Sequence, residues 1–545
     1  MKSKFVLFFV KWNSYRKLIS LSPKSILILL IMSFLATLSE TLGLSIFYPI
    51  VEFVQNNGDI NVLISDSELW LNITNVYWYF GLDVTLATLI FVAFSLLLSR
   101  QLFMYIRSIY QIKLSTFIIK KLRNSMFKSY MQADSDYQDL MPIGNFTEVI
   151  SMETSSSTSG ILGVLGLITD FITLIAFLAI LMFISWEMTI IASMVLFVTS
   201  FAPKVWIRQS VRAGRNVVDA RIKLSSFLID RVKSPRLARL AGIEFAENKE
   251  FSLITEKLRN SIITRGVLKF KTDAIMEPVV ISLSLLFLYF SIDVLTMPLG
   301  QIGLYILVSI RLLPVVKGIL VRIQVIKSSI GSIEIITKIV EGMFNSREVD
   351  TGKIEVSSLN KSVKFDSVYF RHVGNKKDTL VNLTLEIPAK RMTAIVGPSG
   401  GGKSTLIDLL PRLRNSDRGS IFFDDVLINN IKLSSLRGLI TYTPQNPQIF
   451  NGTIKQHIKY GKSSATMSEV EHAAELAGIA EFIETLPFKY ETILGEGSMR
   501  LSGGQLQRLD LARTLIRKTS ILILDEPTSN LDANSEEEFR EVINS

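Results

Sequence analysis

Six apolar runs dominate the first 320 residues: Ile26 to Phe53, Val84 to Leu98 with an extension toward Tyr110, Ile161 to Ser185, Met188 to Phe201, Val279 to Leu295, and Ile302 to Leu320. With its flanks each reaches about 20 residues, enough for a helix to cross a hydrocarbon core of roughly 30 Å. One such run would suit a buried helix of a soluble protein, but six in succession predict a membrane domain over residues 1–344. Ahead of them, Phe8, Trp12, Tyr15 and Ile19 recur at helical spacing among Lys11, Arg16 and Lys17, which predicts a helix lying on the membrane surface. A cleaved signal peptide is the competing reading; its apolar core would be short and no small-residue cleavage site precedes Lys24. After Leu320 the hydrophobicity falls. Residues 345–361 are polar enough for a linker, and from about Val363 short strand-like runs alternate with loops, which predicts a second, soluble domain over 362–545.

Composition agrees with a chain that sits largely in lipid: mean hydropathy is +0.36 and 48% of the 545 residues are hydrophobic. The formal charge of +10 would suit nucleic acid if it were clustered on a soluble face. Its distribution argues otherwise. No Lys or Arg lies between Lys24 and Arg100, around Ser185 to Glu187, or between Lys271 and Arg311, whereas seven fall from Arg100 to Lys128 and sixteen from Lys204 to Lys271. By the positive-inside rule the two basic connections and both termini are cytoplasmic, in a multi-pass protein of the inner (plasma) membrane. Nucleic acid is therefore not an expected partner. The two basic connections are long and amphipathic, so the membrane helices are expected to continue into the cytoplasm and turn near Asp134 to Asn145 and Gly242 to Lys249. With no Cys there is no disulfide or thiolate metal site. Glu40, Asp170, Glu277 and Arg311 fall in or at the ends of apolar runs, where charge must be paired or face a cavity. Pro49, Pro278 and Pro314 weaken the local helix bonding there.

The chemistry begins at Gly397-Pro398-Ser399-Gly400-Gly401-Gly402-Lys403-Ser404-Thr405, which fits G-x-x-x-x-G-K-[ST] and follows the apolar run Met392 to Val396. This spacing predicts a strand, a phosphate loop and a helix start. Glycines let backbone N–H groups wrap phosphate oxygens, Lys403 reaches the β- and γ-phosphates, and the Ser404 hydroxyl ligates Mg²⁺. A Gly-rich surface turn is the bland alternative for this motif alone.

Further along the chain stand Gln445 in Thr443-Pro-Gln-Asn-Pro-Gln-Ile-Phe450, then Leu501-Ser502-Gly503-Gly504-Gln505, then the apolar strand Ile521 to Leu524 ending in Asp525-Glu526, then Pro527-Thr-Ser-Asn-Leu-Asp532. In this order the motifs resemble the nucleotide-binding domain of an ABC transporter. The whole chain resembles the exporter type, in which one chain carries one membrane domain and one ATPase domain. The resemblance implies an α-helical membrane domain of six transmembrane helices with long cytoplasmic extensions, followed by an α/β P-loop ATPase domain. It implies ATP and Mg²⁺ as cofactors: Gln445 and Asp525 join Ser404 at the metal, Glu526 orients and polarises the attacking water, and Lys403 and Gln445 assist. Ser502, Gly503, Gly504 and Gln505 would meet the γ-phosphate held by a second copy of the chain, so a homodimer is expected. His372 falls where the family often stacks an aromatic ring on adenine. Asp510 stands at a position that is usually apolar. The chain stops at Ser545 inside a helix that begins near Asn534, ahead of the family's switch histidine, so the ATPase domain reads as incomplete.

Glu40-Thr-Leu-Gly43 with Tyr48-Pro49, and Arg311-Leu-Leu-Pro314, resemble segments of flippases for polyprenyl-linked oligosaccharides. They point to an amphipathic or lipid-linked substrate moved outward across the membrane, with other lipids, peptides and hydrophobic drugs as alternatives. A soluble ABC ATPase would carry tandem ATPase domains without spans. A membrane regulator or channel with a silent ATPase is the other class; intact Lys403, Gln445 and Glu526 argue against it.

Overall fold

The computed structural model describes residues 22–66, 68–199, 204–232, 235–293, 298–495, 501–527, 536, 537 and 540. The surface helix expected at Phe5 to Ile19 and the segment Thr528 to Asp532 lie outside the described residues. The chain divides into two compact units, one of Met1–Ala133 and Leu140–Ser346, the other of Asp134–Asp139 and Arg347–Ser545.

The first unit is helical: α1 (Pro23–Ser45), α2 (Leu86–Met131), α3 (Thr154–Ile184), α4 (Trp186–Thr199), α5 (Lys204–Val232), α6 (Glu244–Asp293), α7 (Leu299–Ser328) and α8 (Ile330–Asn345). Among the described residues four helical stretches are long and apolar enough to cross a membrane: Pro23–Gln55, Leu86–Met131, Ile143–Ile184 and Gly300–Asn345. The apolar runs predicted from Met188 and Val279 lie on α4 and the C-terminal part of α6, each of which adjoins residues outside the description. At 46 and 50 residues, α2 and α6 are each roughly twice as long as a membrane crossing requires. The basic half of α2, from Arg107 to Lys128, is the part whose charge is costly in hydrocarbon. On its apolar half Leu89 and Ala93 are buried, whereas Phe91, Phe94 and Leu98 face outward, the pattern expected of a helix with lipid on one side.

The second expected turn moves upstream. Pro235–Ala241 forms a short helix and α6 begins at Glu244, so Gly242 and Ile243 are the break and Glu244 to Lys249 are helical. Glu244 and Glu247 sit in the first turn of α6, where carboxylates suit the exposed backbone N–H groups. The first turn region holds short helices at Ser135–Leu140 and Ile143–Glu148.

Of the four charges named in the apolar runs, Glu40 and Asp170 are paired, while Glu277 and Arg311 are exposed. Glu40, 7% exposed, meets Arg100 Nε at 2.9 Å, and Asp170 meets Arg322 Nε at 2.5 Å. Between Ile143–Glu148 and α3 the helix widens into a π-turn at Val149–Glu153. Arg123 donates to the carbonyls of Ile150 and Ser151, at 3.0 and 2.6 Å, which takes up backbone acceptors that the widened turn leaves available. The turn also directs Glu153 into the bundle, where it is wholly buried against Arg221 and the Ser332 hydroxyl.

In the second unit β1 (Ser362–Phe370) lies between β2 (Leu380–Pro388) and β3 (Arg418–Phe423), antiparallel to both. Residues 392–396, expected to be a strand, ladder with no neighbour among the described residues, and Met392 and Val396 are 75% and 92% exposed. Apolar composition favours a strand only where a partner edge accepts its hydrogen bonds, and none among the described residues does so. Helix α9 (Lys403–Leu409) follows the phosphate loop. Strand β4 (Ile440–Thr443) pairs in parallel with β5 (Ile521–Leu524), and α10 (Gly503–Leu515) precedes β5. Residues 347–361 are laid along this unit: Arg437 forms an ion pair with Glu348, Leu433 N–H donates to Asp350 at 3.0 Å, and Ile354 bridges Ile431. The unit also holds Asp134–Asp139, through ion pairs of Arg414 with Asp136 and Asp139; Arg414 Nε meets Asp408 on α9 at 3.0 Å.

The helices of the first unit approach closely at small residues. A Cβ added to Gly214 on α5 would lie 2.0 Å from the Ser328 carbonyl oxygen of α7, so Gly214→Val must push two backbones apart. Overpacking of this kind costs about 1–3 kcal/mol. A lowered unfolding temperature of the purified protein is expected; an unchanged one would show that the contact yields freely.

Candidate active site

The phosphate loop takes its shape from glycine. Gly400 and Gly402 have φ of +78° and +87°, and a Cβ on Gly402 would sit 2.8 Å from Leu380 Cδ2 as well as adopting a strained backbone. Lys403 folds back over the loop, its Nζ donating to the carbonyls of Gly397 at 2.9 Å and Pro398 at 3.2 Å. Residues Gly397 to Gly401 and Ser404 are exposed, while Thr405 is buried. His372 Nε2 lies 3.0 Å from Thr405 Oγ1, and its ring stands edge-on to Phe370 at 4.9 Å. Two residues singled out for nucleotide contact thus meet each other.

The parallel register of β4 on β5 brings the next group together. Thr443 is opposite Leu524, so the residues that follow both strands emerge at the same end. Asp525 N–H continues the ladder to Thr443 O at 3.0 Å. Glu526 then turns with φ +46°, a left-handed conformation that costs energy for a residue with a Cβ. Its Oε2 accepts from Gln445 Nε2 at 2.6 Å. Tyr442 OH donates to Asp525 Oδ2 at 3.2 Å. Burial, reinforced by the Asp525 carboxylate, pushes the Tyr442 phenol well above its ordinary range, so it stays a donor. The sequence did not single out Tyr442; its position one residue before Thr443 on the strand was the available signal.

Ser502-Gly503-Gly504-Gln505 opens α10 as a reciprocal cap. Ser502 Oγ accepts from Gln505 N–H at 3.2 Å, and Gln505 Oε1 accepts from Ser502 N–H at 2.9 Å. Gln505 thereby uses its amide oxygen on the backbone.

Family profiles match both halves of the chain: "ABC transporter transmembrane region" over residues 26–313 and "ABC transporter" over 380–529. The chain is an ABC transporter. The lipid A-core flippase of Thiobacillus denitrificans is 30% identical over 439 residues, covering 77% of this chain and 73% of that protein. The heterocyst differentiation ATP-binding protein HepA of a Nostoc species is 28% identical over 446 residues, 82% of this chain and 73% of that protein. The lipid A-core flippase of Sodalis glossinidius is 25% identical over 546 residues, 98% and 88% of the two chains. A solved bacterial Atm1-family ABC exporter with ATP bound shares the fold, with a TM-score of 0.78 at 21% identity over 96% of this chain and 88% of that one.

The transporter therefore has the exporter fold, a membrane-spanning domain joined to a domain that binds and hydrolyses ATP. The hydroxyl of Ser404, the carboxylate of Asp525 and the amide of Gln445 offer only hard oxygen donors. Such a set suits Mg²⁺, which takes the rest of its shell from phosphate and water.

The cap at Ser502 is testable by itself. Ser502→Ala should destabilise α10 by about 1 kcal/mol and Ser502→Gly by only a few tenths. Hydrogen exchange at the Gln505 amide, faster in the first variant than in the second, would follow; equal exchange in all three proteins would remove the cap's role.

Proposed function

We propose that two copies of this transporter form a homodimeric exporter in the plasma membrane, with both termini cytoplasmic, that moves an amphipathic lipid-linked substrate outward at the expense of ATP. The observation that carries the hydrolytic part is the convergence of Gln445 and Glu526 at 2.6 Å, directly after Asp525 at the end of a strand. Glu526, held by Gln445, orients the water that attacks the γ-phosphate and accepts its proton. Lys403 moves from its own loop carbonyls to the β- and γ-phosphate oxygens, where charge builds during transfer. The loop from Gly397 to Gly402, with Ser404 and Thr405, wraps the phosphates, and His372 flanks the adenine. Ser404, Asp525 and Gln445 would hold Mg²⁺, which supplies charge neutralisation at the phosphates.

Ser502 to Gln505 of one copy face the γ-phosphate bound by the other, so that ATP joins the two copies and hydrolysis loosens them. Nucleotide drives transport to the extent that it binds the closed state more tightly than the open one.

For the substrate, the relatives named as lipid A-core flippases favour a saccharolipid. The motif matches around Glu40 and Arg311 favour a polyprenyl-linked oligosaccharide. Both are anionic glycolipids. Glu40 and Asp170 are engaged by Arg100 and Arg322, whereas Arg311 is exposed and pairs with no carboxylate among the described residues, which suits an anionic headgroup.

The test is ATP turnover in lipid vesicles with and without a polyprenyl-pyrophosphate oligosaccharide or a lipid A-core saccharolipid. Glycolipid should stimulate turnover, and Glu526→Gln should lower kcat by at least about 10²-fold, the usual contribution of a positioned base. Unchanged turnover in Glu526→Gln would overturn the assigned base. Turnover indifferent to both glycolipids would overturn the substrate class. No turnover at all would favour the regulator.

A further inference from the structure

Asp510 breaks the apolar pattern of α10, and its side chain is wholly buried. The hydrophobic cluster around it includes Ile454, Ile458, Leu509 and Leu511, each at most 1% exposed. A carboxylate persists in such surroundings only with a strong partner. That partner is one turn along the helix: Arg513 Nη2 lies 2.8 Å from Asp510 Oδ1. His457 Nε2 approaches the same oxygen at 3.3 Å. The remainder of the polar cluster is poorly served by protein, since Asp510 Oδ2, His457 Nδ1 and both amide atoms of Gln507 are buried without a protein hydrogen bond. A network selected for its own completeness would not look like this. The shorter of the two bonds that the Asp510 carboxylate makes is the one that fixes Arg513.

Arg513 uses the opposite edge of its guanidinium on a different segment, Nη1 donating to the Gln448 carbonyl at 3.2 Å. Gln448 stands three residues after Gln445, whose amide holds Glu526. A second tie brackets the same loop from its other end. Thr514, the next residue of α10, shares a hydrogen bond with Thr443 at 2.9 Å and donates to the Asp510 carbonyl at 2.9 Å. The loop between Thr443 and Gln448 is thus pinned at both ends to one turn of the helix that begins with Ser502 to Gln505.

We propose that Asp510 is a positioning residue for ATP hydrolysis: by holding Arg513 on the Gln448 carbonyl, it ties the loop that carries Gln445 to the signature helix. An apolar residue at 510 would fill the same volume, but Arg513 would lose its anchor and the loop one of its two restraints. The bidentate use of one guanidinium makes Arg a better link than Lys, whose single ammonium cannot present two donors in a fixed fork. The proposal rests on the role given above to Gln445 and Glu526, and its structural half is measurable without that role.

The experiment uses the full chain in lipid nanodiscs. Asp510→Asn keeps the shape and removes the charge. It should lower kcat for ATP hydrolysis about tenfold, as loosened positioning does, while KM for ATP stays within about twofold. Amide exchange across residues 446–450 should rise. Asp510→Glu should recover part of both effects. Arg513→Gln should reproduce them, and the double variant should be no worse than the poorer single, because the two residues act as one unit. Parent turnover and parent exchange in Asp510→Asn, or losses that multiply in the double variant, would overturn the proposal. Should Asp510→Asn fail to fold, seen as lost binding of an ATP analogue, Arg513→Lys keeps a cation beside Asp510 and removes the fork. Raised exchange over 446–450 is then expected, and unchanged exchange again overturns the link. If exchange rises in these variants while Glu526→Gln hydrolyses normally, the base assignment falls and the tie between loop and helix stands.

Discussion

Four residue pairs in parallel register, Ile440 with Ile521 through Thr443 with Leu524, decide where the chemistry of this protein is assembled. Parallel pairing sends both chains out at the same edge, so Gln445 and the Asp525-Glu526 pair meet although they are about eighty residues apart in sequence. An antiparallel pair would have sent them to opposite ends. The short ladder is backed by Thr443 and Thr514 from behind and continued by the Asp525 N–H, which leaves Glu526 as the first residue free to turn. Its positive φ is strain that the surrounding bonds must hold in place, and its carboxylate is held by Gln445.

The membrane unit obeys a different constraint, the cost of placing charge and unmet backbone groups in apolar surroundings. Glu40 with Arg100 and Asp170 with Arg322 join separate helices, so each pair also fixes how α1 meets α2 and how α3 meets α7. The π-turn at Val149–Glu153 redirects Glu153 inward, and Arg123 satisfies the carbonyls beside it. Close approach at Gly214 likewise fixes how α5 meets α7.

Much of this was legible in the sequence because its signals are local. Runs of about 20 apolar residues, the spacing of glycines before Lys403, and the order of Ser502 to Gln505 each depend on residues a few positions apart. What was not legible depends on partners far along the chain. Met392 to Val396 has strand composition, yet a strand is defined by its neighbour, and no strand among the described residues bonds to it. Gly242 to Lys249 looked like a turn because of its glycine and polar residues, but two glutamates at a helix start read as polar too. The segment around Asp350 and Ile354 looked like a free linker, and only Leu433, Arg437 and Ile431, some eighty residues later, show what it lies on. Asp510 was visible as an exception, while its reason required the distance from Arg513 to Gln448.

The same comparison explains why the site has two kinds of residue. Groups proposed to meet phosphate sit on glycine loops and helix starts, where the backbone itself provides donors and the sequence must carry a recognisable spacing. Groups proposed to act on water hang from the ends of strands, where position comes from register and from restraints such as Tyr442 on Asp525 and Gln445 on Glu526. The first kind is set by conformation within one segment and tolerates distant change. The second depends on how helix, loop and strand are held against one another. A buried carboxylate on the signature helix reaches the loop through a single guanidinium, so the restraint proposed for the water-facing group would lie in the core as well as in the motifs.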